Sequence, residues 1–380
     1  MRITLVTETY PPEVNGVALT VQSLLGGLLQ LGHELTLVRP AQAGEGTDGF
    51  TDGAVRIVPV PSLPLPLYPG LRIGLPVTRR LRRLWRTQRP DVVYIATEGP
   101  LGWAAARVAR RLAIPAATGF HTRFDDFVAH YGMRWLSRPV FAYMRRFHNR
   151  AQATLVPTQE LFDFLTRRGF RYPRLHRRAV DTRQFDPQRR DAVLRAQWGL
   201  GEDGLAVIYL GRIAPEKNLE VAVAAFRAIQ SRHPRARFVW VGDGPARAVL
   251  ERANPGFVFC GMQHGESLGR HFASGDLFLF PSLTETFGNV TLEALASGVV
   301  VLAFDYGAAG EHIRNGVDGV TVPFGDAAAF VQTARELADD PLRMRAIRNT
   351  ARRAVAELGP APVSRAFEAL LIVCSQEQPA

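Results

Sequence analysis

Two glutamates eight positions apart, Glu285 and Glu293, bracket a glycine-containing turn in Ser282-Leu283-Thr284-Glu285-Thr286-Phe287-Gly288-Asn289-Val290-Thr291-Leu292-Glu293. The apolar run 277–281 just before it reads as a buried strand ending at proline, and 290–297 has helical composition and pattern. One carboxylate then lies at the carboxyl end of a strand and the other in the first turns of a helix. Ligands bind at that edge of open α/β sheets, and free N–H groups at a helix start suit phosphate or sugar oxygens. A plainer reading stays open: Glu285 as an acid favoured by the helix dipole, and Glu293 as a solvated helical side chain.

Lys217 is the only lysine in a chain that otherwise uses arginine, and it falls in a strand-to-helix loop five residues after Arg212. A compact ammonium beside a guanidinium could clamp a diphosphate; an exposed lysine near a helix start needs no such role. His121 follows the short strand 115–119, again at a ligand-facing position, although a lone histidine is more often structural. Gly16, after Asn15 and before the first helix, can bring backbone N–H groups close to a phosphate or simply make a turn.

The elements that must carry these residues repeat. Strands are expected at 3–9, 35–38, 55–60, 91–96, 115–119 and 153–157, with helices from about 16 to 31, 79 to 86, to 112, 134 to 150 and 158 to 168. The pattern restarts with strands at 205–210, 237–241, 256–260, 277–280, 299–303 and 317–322. Such β-loop-α units predict an α/β protein with two doubly wound parallel sheets facing a cleft. The expected division is residues 1–185, residues 186–358, and a last segment, 359–380, whose helix crosses back onto the first domain.

Composition narrows the function classes. No apolar run approaches the roughly 20 residues of a membrane span, and the first residues read as a strand rather than a signal peptide. Cys260 and Cys374 are the only cysteines, so no disulfide framework is implied and a reducing cytoplasm fits. The sequence has no G-x-G-x-x-G after its first strand, no Asp-x-Asp pair for a sugar-nucleotide metal and no zinc-spaced cluster. The net charge of +11 is uneven: residues 1–180 hold 25 arginines against 12 acids, and residues 181–380 hold 20 arginines and one lysine against 23 acids. The basic half asks for an anionic partner. Within it, Arg79, Arg80, Arg82 and Arg83 surround Leu81, Leu84 and Trp85 on one helix, after an apolar proline-rich loop at 61–69. That is the pattern of an interfacial helix on an anionic membrane, and equally of a surface helix burying its apolar side in its own domain. Aromatic-interleaved basic motifs of RNA binders are absent, so no nucleic acid is expected.

Taken together, Gly211-Arg212 with Glu216-Lys217-Asn218, Val241-Gly242-Asp243-Gly244-Pro245, and Pro281-Ser282-x-x-Glu285-Thr286-Phe287-Gly288 with Glu293-Ala294 resemble the retaining glycosyltransferases of family 4, of GT-B fold. Asn15-Gly16, Phe120-His121-Thr122 and Val180-Asp181-Thr182 with Phe185 fit the same family, in order along nearly the whole chain. Within it, 120–132 and Phe147-His148-Asn149-Arg150 are most similar to sulfoquinovosyl-diacylglycerol synthases and GDP-mannose-dependent α-mannosyltransferases.

The resemblance implies that a nucleotide sugar gives its hexose to a lipid or glycan acceptor, without a metal or other cofactor, in the cytoplasm or at the inner face of the plasma membrane. It places Arg212 and Lys217 on the donor diphosphate, with backbone N–H groups of Gly16 and of Phe287, Gly288, Asn289 and Val290. Glu285 falls at the donor sugar, Glu293 on the ribose hydroxyls, His121 near the reacting carbon and Gln263 beside the base. Two rivals share the fold but not the reaction: a UDP-sugar 2-epimerase and a phosphorylase-like enzyme.

Overall fold

The computed structural model describes residues 1–13, 15–65, 72–121, 137–201 and 204–377. The chain forms two compact units, one of residues 1–179 together with the segment from Pro360 on, the other Val180–Gly359. Residues 180–185 therefore belong to the second unit and not the first, because Val180 and Phe185 are buried in its core.

In the first unit the strands are β1 (Arg2–Val6), β2 (Glu34–Pro40), β3 (Phe50–Asp52), β4 (Val55–Val60), β5 (Ser62–Pro64), β6 (Arg72–Gly74), β7 (Val92–Ile95), β8 (Ala116–Gly119), β9 (Ala153–Val156) and β10 (Pro173–Leu175). Eight of them make one sheet in the order β10-β9-β8-β7-β1-β2-β4-β3, while β5 and β6 pair as a separate antiparallel ladder. Every pairing in the large sheet is parallel except the exposed edge strand β3. Parallel strands need both faces covered. Helix Gly16–Gln30, capped by the Asn15 side chain, covers one face together with the last helix, Pro360–Gln376, whose Phe367 and Leu371 are fully buried there. Helices Thr78–Thr87 and Pro100–Arg111 cover the other.

In the second unit β11 (Ala206–Leu210), β12 (Arg237–Val241), β13 (Val258–Gly261), β14 (Leu277–Phe280), β15 (Val300–Phe304) and β16 (Val320–Val322) form an all-parallel sheet in the order β13-β12-β11-β14-β15-β16. The central runs Ala206–Leu210, Leu277–Phe280 and Val300–Phe304 are buried throughout, which explains their unbroken apolar sequence. Each sheet reverses its strand order once, between β1 and β7 and between β11 and β14. Loops leaving those strands at their carboxyl ends flank a crevice where an α/β sheet takes its ligand.

Candidate active site

The loop after β11 carries Gly211–Lys217, and its path depends on the loop after β12. Gly211 N–H donates to Val241 O at 3.0 Å and Ile213 N–H to Asp243 O at 2.9 Å. Gly242 has φ +134°, and a β-carbon there would stand 2.0 Å from Gly211 O, so the two loops can touch only through glycine. Tyr209, buried on β11, donates its hydroxyl to Arg212 O at 3.0 Å; burial, then the nearby Glu285 and Glu216 charges, keep that phenol well above its ordinary range. A short 3-10 turn, Pro215–Lys217, then leads through left-handed Asn218 into helix Leu219–Gln230.

The loop after β14 meets this one. Lys217 Nζ donates to Glu285 Oε1 at 2.5 Å, and Ser282 Oγ donates to the same oxygen at 2.8 Å. Thr284 Oγ1 donates to Glu216 O at 3.2 Å, and the Glu216 carboxylate pairs with Arg212 at 3.2 Å. The two cations and two acids thus alternate across adjacent loops. Tyr306, just past β15, staples the turn: its hydroxyl donates to Ser282 O at 2.7 Å and accepts from Glu285 N–H at 3.0 Å.

Gly288, at φ +94°, turns the chain into helix Asn289–Ala296. Among the described residues, the N–H groups of Phe287, Gly288, Asn289 and Val290 donate to no protein acceptor, and Phe287 itself is buried. Glu293 lies on that helix, half-buried, and its carboxylate has no hydrogen-bond or ion-pair partner among the described residues. Burial pushes its carboxyl up to about 7. An unpaired, desolvated carboxylate beside free amides is a site for hydroxyl donors and an anion. Gln263, in the loop after β13, spends much of its side chain locally, donating to Cys260 O at 2.7 Å and accepting from Ser267 at 2.6 Å.

Gly16 and His121 belong to the first unit. Gly16 opens its helix directly after the Asn15 cap, whose Nδ2 donates to Thr9 Oγ1 at 2.7 Å. His121 follows β8, with Nε2 2.8 Å from Tyr94 Oη on β7 and Nδ1 hydrogen-bonded to Arg178. Burial foremost, then the Arg178 guanidinium and the neighbouring His176 and His148, hold the imidazole well below its ordinary range. His148 is itself sealed between Glu98 (3.1 Å) and Thr118 (2.8 Å). Glu8, leaving β1, accepts from Gly74 N–H at 2.6 Å and Leu101 N–H at 2.9 Å, and burial raises its carboxyl to about 7. It ties the β5–β6 ladder to the start of helix Pro100–Arg111.

The sequence reading missed Glu8, Tyr94 and Arg178 here, and Glu216, Ser282 and Tyr306 in the second unit, as contributors to their sites. A glutamate just past a first strand was the one visible signal. The membrane reading of Trp85 is overturned: Trp85 and Leu81 are each 1% exposed, packed in the core of their own unit. Arg80 is held by Pro59 O at 2.8 Å and Thr47 O at 2.5 Å, while Arg79, Arg82 and Arg83 are exposed. Residues 66–69 of the apolar loop and residues 122–136, with His130 and Tyr131, lie outside the described residues. Among those that are described, no group of three or more His, Cys, Asp or Glu side chains could hold a metal.

Known proteins carry the same frame. Residues 14–184 match the family model described as Glycosyltransferase Family 4, and 204–340 the one described as Glycosyl transferases group 1. A GDP-mannose-dependent alpha-mannosyltransferase of Mycobacterium tuberculosis is 36% identical over 86% of this chain and 85% of its own length. The chain belongs to glycosyltransferase family 4. Sulfoquinovosyl transferase SQD2 of Arabidopsis thaliana is 31% identical to this family-4 enzyme over 84% of the chain and 62% of its own length. Sucrose-phosphate synthase from Thermosynechococcus elongatus, 19% identical, superposes with a TM-score of 0.79 over 97% of the enzyme and 98% of its own chain. The two Rossmann-like units are those of the GT-B fold, and the family-4 enzyme is a hexosyltransferase.

Proposed function

We propose that the enzyme transfers mannose from GDP-mannose, with retention of configuration, to a lipid-linked or glycan hydroxyl. The observation that carries the chemistry is the alternating Arg212–Glu216 and Lys217–Glu285 array beside the amides of 287–290, which are unpaired among the described residues. The names of relatives such as the mycobacterial mannosyltransferase support the choice of donor. The diphosphate would lie along those amides, with Arg212 and Lys217 turned onto it. Glu293 would accept the ribose hydroxyls, and Glu285 would hold Lys217 in place until the donor arrives.

Breaking the sugar–phosphate bond leaves an oxocarbenium-like carbon and a diphosphate whose charge rises. Two cations and the helix start oppose that rise, and this electrostatic term is the catalytic one. The acceptor oxygen attacks the anomeric carbon on the face the diphosphate leaves. Its proton passes to a departing phosphate oxygen, so no protein nucleophile is required. Transfer without a metal follows in this proposal, since protein cations supply the positive charge. Attachment to anionic lipid is proposed through the exposed Arg79, Arg82 and Arg83; co-sedimentation with phosphatidylglycerol vesicles that survives their joint replacement by glutamine would refute it.

A thermal-shift panel of nucleotides tests the donor. Binding stabilises the fold by mass action, so GDP and GDP-mannose should raise the melting temperature above UDP and UDP-glucose. A larger shift with the uridine nucleotides would overturn the guanosine assignment.

A further inference from the structure

We propose that Arg178 is a positioning residue that fixes His121 as a neutral imidazole with its proton on Nε2, an inference that rests on the placement of His121 beside the reacting sugar. A guanidinium has five N–H donors and no acceptor. Its hydrogen bond to His121 Nδ1 therefore requires a lone pair on that nitrogen. The ring proton sits on Nε2 and is donated to Tyr94 Oη, 2.8 Å away. Protonating the ring would set an imidazolium N–H against a guanidinium N–H. His121 thus neither gives nor takes a proton during transfer, and its ring plane is held between a residue of β7 and one beyond β10.

The surroundings are built for this arrangement. Gly119 ends β8 directly beside the pair, and a β-carbon there would stand 2.2 Å from Tyr94 Oη and 2.3 Å from His121 Nε2. Only glycine leaves room for the bond. The charged and titratable groups facing His121 among the described residues are Arg178 and His176 from the segment after β10, His148 from helix Ser137–His148, and Tyr94. The last helix contributes Phe367, edge-on to Tyr94 at 4.9 Å and to His176 at 5.2 Å. None of these is an anion: burial keeps the Tyr94 phenol protonated, and His176 is held neutral, down to about 4, by burial and then by Arg178.

Arg178 is 8% exposed and makes no ion pair among the described residues. Burial lowers it only to about 10, so it stays charged at neutral pH. A buried guanidinium without a carboxylate is costly, and a neutral side-chain amide would donate the same hydrogen bond at less cost. A buried charge with no anionic partner among the described residues, at the ligand-facing edge of the sheet, points to function: the cation keeps the neighbouring imidazole uncharged.

The test is long-range proton–nitrogen NMR on histidine-labelled protein, with His121 assigned by its loss in His121→Gln. In the unmodified protein His121 should show the Nε2–H tautomer and take up no proton between about pH 5 and 8, the window in which an ordinary imidazole titrates. In Arg178→Gln it should titrate within that window, and kcat should gain an acid limb with the same midpoint while KM for the donor changes less; Arg178→Lys, a donor-only cation, should keep the unmodified tautomer. A proton on Nδ1, or titration of His121 in the unmodified protein, overturns the proposal whether or not the Arg178 variants fold. Full transfer by His121→Ala, with the tautomer as expected in the unmodified protein, would instead refute the placement of His121 at the sugar and leave the tautomer assignment standing.

Discussion

Glu293→Gln separates what this residue does for the fold from what it does for the ligand. Burial raises the Glu293 carboxyl from 4.5 to about 7, with no hydrogen bond to the carboxylate among the described residues to offset it. At roughly 1.4 kcal/mol per pH unit, that rise corresponds to about 3 kcal/mol. The sign follows from linkage. The folded protein binds this proton more tightly than the unfolded chain does. No cost exists below the unfolded value; the cost grows as pH rises from there and is complete above about 7. Glutamine removes the ionisation. The variant should therefore melt with the unmodified enzyme near pH 4.5 and above it at pH 8. A unit of this size shifts by about 2–4 °C per kcal/mol, so the gap at pH 8 should be several degrees. Calorimetry without nucleotide at the two pH values reads it directly. The same change should weaken nucleotide-sugar binding by about tenfold or more, since a hydrogen bond to a charged group contributes about 1.5–3 kcal/mol. A stability difference that does not depend on pH would refute the desolvation argument, and unchanged donor affinity would return Glu293 to a structural role.

Lys217→Ala and Arg212→Ala should each slow transfer by about 10²–10³-fold, the cost of removing one preorganised contact to a leaving group, while far-UV circular dichroism stays unchanged; near-normal turnover in either would remove that residue from the diphosphate clamp. Gly242→Ala forces a side chain into φ +134° and against Gly211 O; it should cost about 1–3 kcal/mol from backbone strain alone, read as a lower denaturation midpoint, with transfer lost as the Gly211–Lys217 loop moves.

How much of this was legible depended on the physics of each segment. The buried strands announced themselves because both faces of a parallel sheet are covered, so runs such as Leu277–Phe280 have no polar interruption. Three-residue pieces such as β3, β5, β6 and β10 are too short to show a period, and β5 and β10 contain proline. The cations of the clamp could be picked out by their loop positions and by the singularity of Lys217, but their pairing with Glu216 and Glu285 is a property of two loops meeting. Helix Thr78–Thr87 shows the limit of amphipathic reasoning. Its pattern is the same whether Leu81 and Trp85 meet lipid or a core, and only the packing beneath it decides. Arg178 was invisible for a related reason: nothing in an arginine-rich stretch marks the one guanidinium that is buried against a histidine.

The most direct test of the account is a transfer assay with GDP-mannose and a glycolipid acceptor in the presence of a chelator, with the anomeric configuration of the product read by NMR. The account predicts an α-linked mannoside formed at an undiminished rate, and its loss in Lys217→Ala. A β-linked product, or transfer that stops when metal is chelated, would contradict it.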